Sequence, residues 1–233
     1  MIDIFLPEEA RACFTNQNLG AEVLHAEELS IYQNFEPTRQ LDFCRGRYSA
    51  HQCLEHFGAD APILKDQEGA PIWPEGYSGS ISHTNGMAGA MVTKNVWIRS
   101  VGLDLERIGR ITRELWQLLF TPREINQLNQ CYPEKADFLS TLFFSIKEAF
   151  YKMQFAISRQ FMGFHDCEIV YTKEKCHLSP LVKSTDALYQ PSFYDIHYHR
   201  HDDLIISYVL LRHDKPKHEI DNHPWETNRH DGH

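Results

Sequence analysis

Two carboxylates one residue apart stand in Val-Gly-Leu-Asp-Leu-Glu, residues 101–106. On an extended strand successive side chains alternate faces, so Asp104 and Glu106 point one way and Leu103 and Leu105 the other. Carboxylates sharing a face repel each other unless a cation neutralises them, and a hard divalent ion such as Mg²⁺ would do so through oxygen ligands. A solvated acidic strand edge carries the same pattern. Residues 143–152 read Phe-Phe-Ser-Ile-Lys-Glu-Ala-Phe-Tyr-Lys. On a helix Ser145, Glu148 and Lys152 share one face, with Lys147 beside it. That face is either a solvated, salt-bridged surface or a third carboxylate with cations for a phosphate group. Residues 79–86, Gly-Ser-Ile-Ser-His-Thr-Asn-Gly, are small and hydroxylated, which lets an anion approach the backbone closely. His83, beside a turn, could donate to phosphate, titrate near neutral pH, or serve only the hairpin. No third partner is placed for a Ser–His nucleophile.

The elements that must hold these groups can be read from periodicity. Residues 1–60 look mainly helical, with a helix over 39–54 that Gly58 and Pro62 end. Gly69, Pro71, Pro74 and Gly76 make 63–78 a turn-rich stretch with short extended pieces. Residues 79–105, punctuated by Asn85-Gly86 and Lys94-Asn95, suggest an antiparallel meander. Thr121, Pro122 and Glu124 form a capping box with proline at the first helical position. A helix over about 122–131 follows, then a longer one over about 135–156. Strand-like segments return over 164–211. The order helices, strands, helices, strands is an α+β pattern in two similar portions. The division expected is an N-terminal half, 1–106, a C-terminal half, 107–212, and a polar, His-rich tail, 213–233, without stable structure.

The chain has 233 residues, 42% hydrophobic, with 23 Lys and Arg against 32 Asp and Glu, a net charge of −9. The apolar fraction is ample for a core and excludes global disorder. The acidic balance argues against nucleic-acid backbone binding. No run reaches the roughly 18 apolar residues of a membrane span. The first residues lack a basic and then apolar secretory pattern, so a cytoplasmic protein is expected, with its six Cys as free thiols. Arg107, Arg110 and Arg113 form either a solvated face or a docking surface for an acidic partner. His197, His199 and His201 alternate on one strand face, a geometry that could bind a transition metal but reads first as an exposed, incidental patch.

The strand and helix motifs, with 36 residues between them, together resemble the paired signature of the 4′-phosphopantetheinyl transferase superfamily. That signature is a Gly-x-Asp-x-Glu strand and a Phe/Trp-Ser-x-Lys-Glu-Ala/Ser-x-x-Lys helix. Residues 69–83 and the segment Cys-Arg-Gly-Arg-Tyr-Ser-Ala, 44–50, are similar to blocks of the enterobactin-type group of these enzymes. The four blocks keep the family's order over about 44–152. Phe144 stands where many members carry Trp; both are bulky aromatics.

The resemblance implies a pseudo-dimeric α+β fold, a monomer of two halves, each with an antiparallel sheet and helices, with the site at their junction. It implies transfer of the phosphopantetheine arm of coenzyme A to a serine of an apo peptidyl, aryl or acyl carrier protein. Adenosine 3′,5′-bisphosphate is the other product, and siderophore synthesis is the pathway the group suggests. Asp104, Glu106 and Glu148 match the family's Mg²⁺ carboxylates, with Mn²⁺ able to substitute. Lys152 matches its phosphate-contacting lysine, and Ser82 and His83 its phosphate-contacting pair. Arg47, and less closely Arg45, match basic residues near the coenzyme A 3′-phosphate; Gly69 and Pro71 match a loop that wraps the nucleotide. Glu148 is the candidate base, directly or through a water. A metal-dependent nucleotide pyrophosphatase would use the same carboxylates with water as the nucleophile, and a non-catalytic coenzyme A- or carrier-binding module would use the same cleft.

Overall fold

In the computed structural model, residues 2, 4–96, 98–172, 175–182 and 187–213 are described. Most of the expected tail lies outside them. The elements are β1 (Ala10–Thr15), α1 (Leu29–Tyr32), α2 (Pro37–His56), β2 (Leu64–Lys65), β3 (Pro71–Ile72), β4 (Tyr77–Thr84) and β5 (Met87–Lys94). They continue with β6 (Ile98–Arg107), α3 (Trp116–Leu119), α4 (Pro122–Asn129), α5 (Pro133–Ser158), β7 (Cys167–Thr172), β8 (Lys175–Pro180), β9 (Tyr194–His201) and β10 (Leu204–Arg212). Short 3-10 turns lie between them.

The chain runs the same course twice. An edge strand is followed by a long helix, a small hairpin, the opposite edge strand and finally the central strand. The first pass gives a sheet in the order β1-β5-β4 with α2 and the hairpin β2-β3. The second gives β6-β10-β9 with α5 and the hairpin β7-β8. All pairings are antiparallel. This is the α+β fold in two similar halves that the sequence led us to expect.

Two details differ from the sequence reading. The start of the chain is not mainly helical, because Ala10–Thr15 pairs with β5 along its length. Nor is 79–105 one meander. β4 and β5 form a hairpin around Asn85-Gly86, but β6 leaves it and pairs with β10, from Leu204 opposite Arg107 to Arg212 opposite Ile98. By sheet membership the second repeat thus begins at Ile98, ahead of the 106/107 division read from the sequence.

Three apolar clusters hold the layers. Ala50, Cys53 and Leu54 of α2 pack with Ala90 and Val92 of β5. Leu142, Ile146, Ala149 and Met153 of α5 pack with Ile205, Val209 and Leu211 of β10. Between the sheets lie Met91, Leu103, Leu105, Ile206 and Tyr208. Each fully buried Leu or Ile there contributes about 1.5–3 kcal/mol. The alternation along β6 puts Leu103 and Leu105 in this inter-sheet core and turns Asp104 and Glu106 toward α5. The capping box forms as read: Thr121 N–H donates to Glu124 at 2.7 Å, and Glu124 N–H donates to the Thr121 hydroxyl.

Candidate active site

α5 approaches β6 at Gly102, where a Cβ would lie 1.8 Å from the Ala149 carbonyl oxygen. Only glycine permits that approach, and it brings the helix residues beside Ala149 against the strand's carboxylates. Lys152 Nζ donates to Asp104 Oδ1 at 2.7 Å, to the Ser82 hydroxyl at 3.0 Å and to the Leu103 carbonyl at 3.1 Å. Ser82 donates to Asp104 Oδ1 at 3.0 Å and accepts from Leu105 N–H at 3.2 Å. Its hydroxyl therefore stitches β4 to β6 and is engaged within the protein, not turned free toward a phosphate.

The carboxylates are in an unbalanced field. Asp104 Oδ2 is buried without a hydrogen-bond partner among the described residues. Burial first, and then the charge of Asp104, push the Glu106 carboxyl up to about 7, although Arg110 lies 3.2 Å away. Burial also raises Glu148; Lys152 opposes the shift and Asp104 adds to it. Among the described residues, no three His, Cys, Asp or Glu side chains are gathered closely enough to hold an ion as they stand. An orphaned buried oxygen and two carboxyls held above their ordinary range nonetheless fit a missing positive charge.

The opposite wall is cationic. Arg39, Phe43 and Arg47 follow one another at four-residue steps on α2, so they form one stripe. Arg47 lies 4.5 Å from the Phe43 ring centre, and Lys65 lies 4.8 Å from that of Phe35. Burial, Arg39 and Arg47 all push the Lys65 ammonium below its ordinary value. Burial lowers Arg47 to about 10, against the opposing pull of Glu28. Two Arg47 nitrogens, Nε and Nη2, are buried without a hydrogen bond to any described residue, although Nε lies 3.5 Å from Glu28. Three like charges facing one space form a binding surface for an anion. Arg39 and Lys65 were not picked out from sequence. The stripe on α2 could have revealed Arg39, whereas Lys65, on a two-residue strand, gave no periodic signal. Arg45 lines the same space, but its guanidinium donates to the Gln17 and Asn16 carbonyls and to Asn18.

His83 links the walls. Arg39, which can only donate, donates to Nε2, and Nδ1 faces Asp42 at 3.4 Å, so the proton sits on Nδ1. Burial, followed by Arg39, holds its pKa below the usual value, with Asp42 opposing, and the ring is neutral at pH 7.

Arg45, Arg47, Gly69, Pro71, Ser82, His83, Asp104, Glu106, Glu148 and Lys152 all line one open cleft of about 1250 Å³ spanning the two halves. Lys147 does not. Its buried ammonium donates to Glu124 at 2.7 Å and to the Leu119 and Phe164 carbonyls at 3.1 and 2.7 Å. It joins α5, α4 and the 164 turn and offers no cation to a phosphate. Phe144 stacks on Phe164 with ring centres 5.5 Å apart. Arg107 donates to both Asp203 oxygens and to the Asn85 carbonyl, and Arg113 lies over Trp116, so this stretch is largely occupied within the molecule. His197 is half-buried and stacked on Tyr208 instead of sitting in an exposed patch. All six cysteines are free.

A family model described as the 4′-phosphopantetheinyl transferase N-terminal domain matches residues 26–93, and one described as the 4′-phosphopantetheinyl transferase superfamily matches 100–209. A 4′-phosphopantetheinyl transferase of Nocardia iowensis is 31% identical over 75% of this chain and 78% of its own length. One from Mycobacterium tuberculosis is 31% identical over 62% of this chain, a stretch that spans 64% of that relative. Enterobactin synthase component D of Escherichia coli is 32% identical over 49% of this chain and 54% of its own length. Among solved structures, a holo-ACP synthase from Plasmodium yoelii superposes with a TM-score of 0.40 at 19% identity, covering 49% of this chain and 94% of that one. With both halves matched in order and a relative aligned over three quarters of its residues, the chain belongs to the 4′-phosphopantetheinyl transferase superfamily.

Proposed function

We propose that this protein transfers the 4′-phosphopantetheine arm of coenzyme A to a serine hydroxyl of apo carrier proteins and releases adenosine 3′,5′-bisphosphate. The observation that carries this reading is the single cleft with a cation wall on α2 and β2 and a carboxylate–lysine wall on β6 and α5. Coenzyme A presents a terminal phosphate and a diphosphate at opposite ends of its ribose, and the two walls suit those two ends. Arg39, Arg47 and Lys65 hold the 3′-phosphate, Gly69 and Pro71 wrap the nucleotide, and Arg45 braces the α2 wall from behind. Lys152 contacts the diphosphate, as does His83 on exchanging its Asp42 contact, and Ser82 fixes the lysine.

Asp104, Glu106 and Glu148 would hold Mg²⁺, or Mn²⁺ in its place. Such an ion supplies Lewis-acid neutralisation of the diphosphate. The chain's own groups do the rest. Lys152 stabilises charge that develops on the bridging oxygen as the anhydride bond breaks. Glu148, on the helix that carries Lys152, takes the proton from the carrier serine, directly or through a water. The fixed walls orient the phosphoryl group for in-line attack.

The carriers we favour are peptidyl or aryl domains of siderophore synthesis, with acyl carriers open to the same cleft. We place the enzyme in the cytoplasm as a monomer; no helix among the described residues is long and apolar enough to cross a membrane. The test incubates the protein with coenzyme A, Mg²⁺ and a panel of apo carrier domains and reads intact mass. Gain of the phosphopantetheine mass on one serine supports the assignment. Coenzyme A hydrolysed with every carrier unmodified would instead identify a nucleotide pyrophosphatase, and binding without turnover would identify a non-catalytic module.

A further inference from the structure

The hairpin β2-β3 has strands of only two residues each, too short to hold its shape unaided. Its turn carries Gly69, with φ of +86°, and leads into Pro71, and both line the cleft. Asp66 organises the turn from within. Its N–H donates to the Ala70 carbonyl at 2.9 Å, its carbonyl accepts from Gly69 N–H at 3.1 Å, and its Oδ1 accepts from Ala70 N–H at 2.8 Å. One carboxylate oxygen, Oδ2, remains, and it takes a hydrogen bond from Arg159 of the other half.

Arg159 is itself held in place. It is the residue that ends α5, in the left-handed conformation at φ 55°, with its N–H on the Phe155 carbonyl at 3.1 Å and its guanidinium over the Phe155 ring. Lys152 and Glu148 lie on the same helix, about two and three turns back. The pair therefore joins the loop on the nucleotide side of the cleft to the helix on its diphosphate side. The longer hairpin β7-β8 is tied down within its own half, where Ile169 N–H donates to Glu124 and Tyr171 N–H to Gln127. In the first half Ile63 N–H donates to Glu28 and Lys65 lies over Phe35, and the Asp66–Arg159 pair adds a tie to the other half at the turn.

We propose that Asp66 and Arg159 are a positioning pair that fastens the β2-β3 loop to the end of α5 and so sets how firmly the cleft closes on coenzyme A. The proposal rests on the coenzyme A reading above. Neither side chain touches the reacting atoms, so the pair acts on affinity and not on the chemical step. Arg159 is about half exposed, which makes the tie weak and sensitive to salt. It can open to admit the nucleotide and reclose over it.

The experiment uses the full chain and four proteins: unaltered, Asp66→Asn, Arg159→Gln and the double variant. The Asp66→Asn change keeps a side-chain oxygen to accept from Ala70 N–H. The Arg159→Gln change keeps the backbone N–H that closes α5 on the Phe155 carbonyl, so both variants should fold. Calorimetry at low salt measures coenzyme A affinity, and the mass assay measures transfer at saturating coenzyme A. Each single change should weaken coenzyme A about two- to fivefold, and the double change should weaken it no further. The maximal rate should stay at that of the unaltered protein, and Arg159→Lys should retain most of the affinity. Salt at about 0.5 M, which shortens the Debye length to about 4 Å, should erase the difference. Unchanged affinity in both singles, multiplying effects in the double, or a fallen maximal rate would overturn the tie and leave the coenzyme A reading standing. Failure of the unaltered protein to bind coenzyme A would overturn both.

Discussion

Two lysines of α5, five residues apart, have opposite fates. Lys152 reaches the cleft and meets Asp104 and Ser82, whereas Lys147 turns inward to a fully buried Glu124. Helical spacing gave the faces, but it could not say which one met solvent, because α5 is covered on both sides of its polar stripe. The two lysines should therefore separate in experiment. Lys147→Met leaves Glu124 buried and unpaired and should lower unfolding free energy by about 3–5 kcal/mol in a denaturant titration. Lys152→Met should leave a folded protein that loses transfer by about 10²-fold or more in the mass assay. Asp104→Ala should likewise abolish transfer; full activity in that variant would remove Asp104 from the reaction. The carboxylates, the lysine and the Ser82-His83 pair were legible as chemistry-bearing residues. The engagement of Ser82 with β6 was not, since it depends on a strand more than twenty residues away in sequence.

At the scale of elements, Gly102 shows why the strand motif contains a glycine. Its missing side chain is the space that the Ala149 carbonyl occupies. Gly102→Ala should push α5 off β6, costing about 1–3 kcal/mol from overpacking, and should reduce transfer while leaving the α2 cation wall intact. Thermal unfolding and coenzyme A binding, measured together, check both parts. The long helices and the Asn85-Gly86 hairpin could be read locally because their signals lie within a few residues. β1 could not: Ala-Arg-Ala-Cys-Phe-Thr becomes a strand only when β5 is beside it. The pairing of β6 with β10 is also non-local, which is why a continuous meander was expected there.

At the scale of the molecule, a net charge of −9 coexists with a wall of three cations. Composition records the sum, and folding sorts the signs. Glu28 shows how that sorting depends on pH. It is buried, accepts from Ile63 N–H at 2.8 Å and His25 N–H at 3.0 Å, and meets His51 and Arg47. Burial pushes its carboxyl up, but His51 and these N–H groups outweigh it and hold it below its ordinary value of 4.5. A carboxyl with a depressed value in the folded state favours folding when ionised. Its contribution is complete above about pH 4.5 and is lost as the pH falls through the lower folded value. Glu28→Gln should thus be less stable at pH 7 and show a shallower loss of stability on acidification, measured as the unfolding midpoint from about pH 7 to about pH 3. The repeat itself was legible only as an alternation of helices and strands; that both halves share one strand order required the pairings.

That shared order also sets a timetable. In each half the central strand is the last to be made, so neither sheet can close until β5 or β10 has left the ribosome. The first half can be complete by Lys94. The strand that carries Asp104 and Glu106, however, packs Leu103 and Leu105 on the first sheet but waits for the partner of its backbone, synthesised about a hundred residues later, with its hydrogen-bonding edge open meanwhile. That strand is then open to wrong pairing in the nascent chain, and the carboxylate wall of the cleft is completed among the last events of folding.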